Sequence, residues 1–199
     1  MIHTGNGSFL KIIIGPMFSG KTSELISISR LYKLCNISTC IINYDEDTRY
    51  GLSTSLSTHD NIMVPCLSTH SLTPLIKNGS FLKNRVILIN EAQFFTDLYE
   101  VVKELVEQHE KIVYICGLAG DFQRKPFGQI LELIPLCDEI VKKKAICMIC
   151  KNGKSGIFTK RLTSELKQKI IGVKNYQSVC RKCFKKQFKL IEKYIINES

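Results

Sequence analysis

A chain of 199 residues with 44% hydrophobic composition can build one core and a small appendage, but not two full catalytic domains. No run approaches the roughly 18 apolar residues of a membrane span, and Met1–Lys11 lacks the features of a signal peptide; the expectation is a soluble, cytoplasmic protein without a membrane partner. The net charge of +10 is uneven: residues 1–140 sum to −3 and residues 141–199 to +13, which marks a boundary near residue 141.

The first predicted element is a buried strand, Leu10–Ile14, running into Gly15-Pro16. Gly15, Pro16, Met17, Phe18, Ser19, Gly20, Lys21 and Thr22 then satisfy G-x-x-x-x-G-K-[ST] at every fixed position. Glycines let successive backbone N–H groups converge on phosphate oxygens at a helix start. Lys21 then reaches the β- and γ-phosphates of ATP, and the Thr22 hydroxyl meets Mg²⁺. From Lys21 onward, Leu25, Ile28, Tyr32 and Cys35 recur at offsets of three and four, the stripe of a helix on a sheet.

Further buried strands are predicted at Thr39–Asn43, Arg85–Asn90 and Ile112–Gly117. Between the last two lies a helix that turns Leu98, Val101, Val102 and Leu105 inward, with Asp97 and Glu100 as a capping pair. Apolar strands alternating with amphipathic helices indicate an α/β fold, a P-loop NTPase-like parallel sheet flanked by helices, over residues 1–141.

In such a sheet, ligands collect beyond the carboxyl ends of the strands. The third predicted strand ends in Asn90-Glu91-Ala92-Gln93-Phe94-Phe95. An Asp commonly holds the metal or its water there, but this chain has Asn90, and Glu91 supplies the carboxylate. Glu91 can accept a proton from an attacking hydroxyl; the competing reading is a surface residue that caps the next helix. Phe94 and Phe95 can pack in the core or stack on a ring-shaped substrate.

Nine cysteines without a secretory signal read as reduced thiols. Cys35, Cys40, Cys66, Cys116 and Cys137 stand singly and are expected to be small buried hydrophobes. Cys147, Cys150, Cys180 and Cys183 form two C-x-x-C pairs, 29 residues apart. Four thiolates close a tetrahedral zinc shell and leave no position for water, so the site is structural; a redox pair is the alternative. Residues 142–199 are thus expected to be a small zinc-binding lid domain that ends in a helix, Arg181–Ile196. The loop Lys151–Val179 would be clamped at its bases, with Phe158–Arg161 and Tyr176 as candidate contacts. A basic zinc ribbon also fits nucleic acid, although a solvated basic face is the commoner arrangement.

Several blocks together resemble the zinc-containing type of thymidine kinase found in animals, bacteria and large DNA viruses. They are GPMFSGKT (15–22), DTRYG (47–51), THD (58–60), NEAQFF (90–95), FQRKPFG (122–128), FTKRL (158–162) and YQSVCRKC (176–183), in the family's order. The resemblance implies transfer of a phosphoryl group from ATP to the 5′-hydroxyl of thymidine, with Glu91 as base, Lys21 at the phosphates and Arg49 steadying the group in transfer. It implies that Asp47 lies beside that group and that Met17, Phe94, Leu118, Phe122, Phe127 and Tyr176 surround the thymine. A homotetramer, inhibition by deoxythymidine triphosphate and no role for nucleic acid are implied as well. The family's Asp is Asn90 here, from which a weaker hold on Mg²⁺ is expected. The rival readings are a P-loop ATPase with a nucleic-acid-binding zinc ribbon and a nucleotide-binding homologue with weakened catalysis.

Overall fold

Val86–Asn90 has no polar residue before its last position, and a strand of that kind is stable only when both its faces are covered. The computed structural model describes residues 2–44, 54–57, 63–79, 81–163, 167–168 and 175–185. They fall into two compact units.

The larger unit comprises Met1–Ile14, Lys21–Ala119 and Phe127–Lys142. In chain order its elements are β1 (Phe9–Ile14), α1 (Lys21–Leu34), β2 (Thr39–Tyr44), β3 (Thr54–Ser57), β4 (Met63–Thr69), α2 (Thr73–Lys77), β5 (Val86–Asn90), α3 (Leu98–Glu107), β6 (Ile112–Gly117) and β7 (Glu139–Lys142). The strands form one sheet in the order β3-β4-β2-β5-β6-β1-β7, parallel except for β3 against β4. This is the expected α/β class.

Alternation along each strand feeds two apolar layers. Val86 and Leu88 of β5 point to the face covered by α1, where they cluster with Leu25, Ile28, Tyr32 and Tyr114. Ile87 and Ile89 point to the opposite face and meet Leu98, Val101, Val102 and Leu105 of α3. Burial of each such side chain contributes about 1.5–3 kcal/mol, so the four from α3 suffice to dock a helix of ten residues.

Three expectations need correction. Cys35 lies beyond the end of α1 and is exposed, because the helix stops at Leu34 and Asn36 takes a left-handed φ of 56°. Cys137 is only half-buried. Asp97 precedes α3 but makes no side-chain cap on it. Its Oδ2 instead accepts bonds from the Ser71 hydroxyl, the Leu72 and Thr73 N–H groups and the Thr73 hydroxyl, at 2.7–2.8 Å. Burial alone would raise the Asp97 carboxyl, yet these donors outweigh it and hold it below the usual range.

The strands that the apolar pattern did not mark are β3, β4 and β7. β4 contains Pro65, which faces Ser55 in the stretch that pairs with β3 alone, where a missing N–H is tolerated. β7 is a short edge strand tied to β1 by the pair Lys11–Glu139 at 2.8 Å.

The smaller unit comprises Gly15–Gly20, Gly120–Pro126 and Lys143–Ser199. It contains two antiparallel pairs, β8 (Ala145–Ile146) with β9 (Ser155–Gly156) and β10 (Phe158–Arg161) with β11 (Tyr176–Val179). Residues 181–185 are helical; the rest of the helix expected over Arg181–Ile196 lies outside the described residues. Among the described residues no helix is long and apolar enough to cross a membrane.

Candidate active site and metal centre

In the larger unit, chemistry gathers at the carboxyl ends of β2, β5 and β6. Asn90, the last residue of β5, is buried, and its oxygen accepts the Thr22 hydroxyl at 3.3 Å and the Cys116 thiol at 2.9 Å. Burial pushes that thiol up to about 12, so it stays protonated and donates. The Asn90 Nδ2 donates to Asn43 Oδ1 at 2.8 Å, across a register that sets these residues side by side. Two donors on the oxygen fix the amide's orientation. Sequence reasoning missed Asn43. The available signal was a polar residue at the end of an otherwise apolar strand.

Glu91 follows in a left-handed conformation, φ 51°, sparsely populated by non-glycine residues and costing on the order of 1 kcal/mol. Strain of this kind persists where the surroundings over-determine it. Here the Glu91 Oε2 accepts the Gln93 Nε2 at 2.6 Å, and Gln93 Oε1 accepts the Leu118 N–H at 3.0 Å. Gln93 is a second residue that sequence reasoning passed over. Phe95 is buried in the core, whereas Phe94 is half-buried and meets the rings of Tyr44 and Phe127 at 5.1 and 5.3 Å. The structure therefore separates the two phenylalanines: one packs and the other belongs to an aromatic group with Phe127.

The phosphate-loop residues Gly15–Gly20 belong to the smaller unit, and the chain continues from Gly20 into Lys21, the buried first residue of α1. The Ser19 hydroxyl donates to the Pro16 carbonyl at 2.8 Å, the Met17 N–H donates to the Thr159 hydroxyl at 3.0 Å, and Lys143 Nζ donates to the Gly20 carbonyl at 3.2 Å. A Cβ on Gly15 would stand 2.7 Å from the Ser19 Oγ and 3.0 Å from the Lys143 carbonyl, so a larger residue there would have to displace both.

Phe122 and Tyr176 meet through Arg161. That buried guanidinium lies 3.7 Å from the Phe122 ring centre and 5.2 Å from that of Tyr176, and it donates to the Tyr176 hydroxyl and the Gln168 carbonyl at 2.8 Å. Arg124 sits over the Phe184 ring at 4.7 Å. Asp121 is committed within this unit: it accepts the Gln123 and Lys125 N–H groups and the Gln168 amide at 2.8–3.0 Å. Asp47 and Arg49 lie outside the described residues.

The thiols of Cys147, Cys150, Cys180 and Cys183 all lie within 4.8 Å of one another, with Cys150 3.8 Å from Cys180 and 3.4 Å from Cys183. Zn–S bonds of about 2.3 Å put the sulfurs of a tetrahedron about 3.8 Å apart, so the cluster has the size of a zinc shell. Two of the four thiols favour the thiolate: burial would raise Cys147, but the N–H groups of Cys150, Cys180 and Ile149 bring it below the usual thiol range, and the Cys183 N–H does the same for Cys180. The other two are raised: the Cys150 thiol pushes Cys183 up, and Cys150 rises against the lowering bond to Cys183 because of its contact with Cys147. All nine cysteines are free thiols.

A family model described as thymidine kinase matches residues 8–184. The thymidine kinase of variola virus is 44% identical over 180 residues, covering 90% of this chain and 98% of the relative. Those of raccoon poxvirus and Yaba monkey tumor virus are 44% and 42% identical, over 90% and 88% of this chain and 98% and 94% of the relatives. A phosphate loop, a strand-end carboxylate and a four-cysteine cluster agree with these matches, and the chain belongs to the thymidine kinase family.

Proposed function

We propose that this chain transfers the γ-phosphoryl group of ATP to the 5′-hydroxyl of thymidine, forming thymidine monophosphate. Membership of the family makes it a kinase that uses ATP. The observation that carries the mechanism is the Glu91 carboxylate, gripped by Gln93 one residue past the end of β5.

Each residue has a role that follows from its chemistry. The N–H groups of Gly15–Gly20 and the Lys21 ammonium bind the phosphates of ATP, while Arg49 steadies the group in transfer and Asp47 lies beside it. Glu91 orients the 5′-hydroxyl and accepts its proton. Met17, Phe94, Leu118, Phe122, Phe127 and Tyr176 supply apolar and aromatic contacts for the thymine ring. Mg²⁺, when bound, neutralises phosphate charge; the Thr22 hydroxyl and the Asn90 oxygen, already 3.3 Å apart, are the atoms that would hold it or its water. Catalysis then rests mainly on position and charge. Zn²⁺ at the four cysteines is structural, because four thiolates close its shell. A homotetramer, a cytoplasmic location and feedback inhibition by deoxythymidine triphosphate complete the reading on the ground of family membership.

The test is incubation with ATP, Mg²⁺ and each of the four deoxynucleosides, with monophosphate counted. Thymidine monophosphate is the expected product. ATP turnover that responds to DNA or RNA and ignores every nucleoside contradicts the reading.

A further inference from the structure

The Glu91 carboxylate sits on a strained backbone, and a carboxylate on a short loop has several rotamers open to it. What restricts it is Gln93. Its side chain is buried at 3% exposure and both ends of its amide are bonded, one to Glu91 Oε2 at 2.6 Å and the other to the Leu118 N–H at 3.0 Å. The orientation follows from chemistry: the Leu118 N–H can only donate, so the amide oxygen must face it and the NH₂ must face Glu91. The space beside the residue is tight: a Cβ on Gly117 would stand 2.3 Å from Gln93 Oε1 and 2.5 Å from Ile130 Cδ1, and a Cβ on Gly128, whose φ is +60°, would stand 2.2 Å from the Gln93 main-chain carbonyl.

We propose that Gln93 is a positioning residue for phosphoryl transfer: its amide holds one oxygen of the Glu91 carboxylate, presents the other to the nucleoside hydroxyl, and ties that carboxylate to the backbone at Leu118. The inference rests on the reading of Glu91 as the base. One amide thereby sets the distance between the catalytic carboxylate and a residue whose side chain is assigned to the thymine. A misplacement of about 1 Å at a reacting group costs on the order of 10²-fold in rate, so loss of this tether is felt in kcat.

The experiment is a double-mutant cycle on the full chain. Gln93→Met keeps a side chain of similar length and removes both hydrogen bonds. Gln93→Glu keeps an acceptor for the Leu118 N–H and replaces the donor to Glu91 by a like charge, so it decides the matter if the Met variant does not fold. Each is measured alone and together with Glu91→Gln for kcat, the KM for thymidine, the Kd for ATP and the melting temperature. The expected result is a fall in kcat of about tenfold or more, with KM and Kd within about threefold, and less than about twofold further loss in the Glu91→Gln background. Equal losses in both backgrounds would mean that Gln93 acts only through the fold, and the inference falls. Normal kcat in both Gln93 variants, beside a large loss in Glu91→Gln, also overturns it and leaves the base standing. Near-normal turnover in Glu91→Gln instead removes the base itself.

Discussion

The two units hold their working residues by opposite means. In the larger, the strand ends of β2, β5 and β6 are fixed by two apolar layers, and the polar residues Asn43, Asn90 and Gln93 are satisfied at their edge. In the smaller, the strand pairs are two to four residues long and the buried apolar cluster around the cysteines is small. Apolar burial on that scale does not offset the entropy of ordering the chain, and a metal held by the four cysteines would supply what it lacks. The comparison teaches that residues placed by a large sheet keep their backbone positions without a metal, whereas residues placed by a metal would be lost with it.

The largest expected effect follows from removing that metal. Structural zinc contributes an apparent ~10–16 kcal/mol in small domains, so one zinc per chain is expected in protein purified without added metal. Chelation, or Cys180→Ser, is expected to abolish amide-exchange protection over residues 143–163 while β1, β5 and β6 stay protected. Protection that survives in both units after chelation breaks the comparison. Next in size, Leu105→Ala in the wholly buried face of α3 is expected to destabilise the larger unit by about 2–5 kcal/mol in urea titration and to leave the zinc content unchanged. A loss below about 1 kcal/mol would mean that α3 does not carry the layer assigned to it.

A smaller effect is expected at Asp97. A carboxyl held low in the folded chain adds stability above its unfolded value, near 3.9, and that stability is lost as pH falls through the folded value. Asp97→Asn is therefore expected to cost about 1–3 kcal/mol at pH 7, with the gap from the natural sequence closing below about pH 4. A gap that stays constant with pH contradicts the role given to its charge. The smallest effect concerns Asn90→Asp. The new charge would favour Mg²⁺, but its second oxygen would face Asn43 Oδ1, and turning Asn43 to meet it loses the bond from Asn43 Nδ2 to the Tyr44 carbonyl at 3.2 Å. A lower Mg²⁺ requirement with slightly reduced stability is expected; superimposable magnesium titrations would show that the missing charge is made good elsewhere.

Much of this was legible in the chain because the signals were periodic or had fixed spacing. The apolar runs of β1, β2, β5 and β6, the stripe on α3 and the clustering of the cysteine pairs needed no tertiary information. The signals that failed were single residues whose partners are distant in sequence. Asp97 reads as a cap on its own helix because nothing local reveals that Ser71 and Thr73 reach it first. Asn43 and Asn90 look unrelated until strand register sets them side by side, and Gln93 looks like part of an aromatic block until Leu118 claims its oxygen. β7 escaped because an edge strand of four residues needs no apolar run.

We propose the Glu91 carboxylate, one residue past β5, as the base that makes phosphoryl transfer to a nucleoside fast. The most direct test compares the natural sequence with Glu91→Gln at saturating ATP, Mg²⁺ and thymidine, counting thymidine monophosphate and measuring ATP binding separately. A positioned general base contributes roughly 10²–10⁴-fold, so turnover is expected to fall by at least about 10²-fold while ATP binds as before. Near-normal formation of thymidine monophosphate by Glu91→Gln would contradict it.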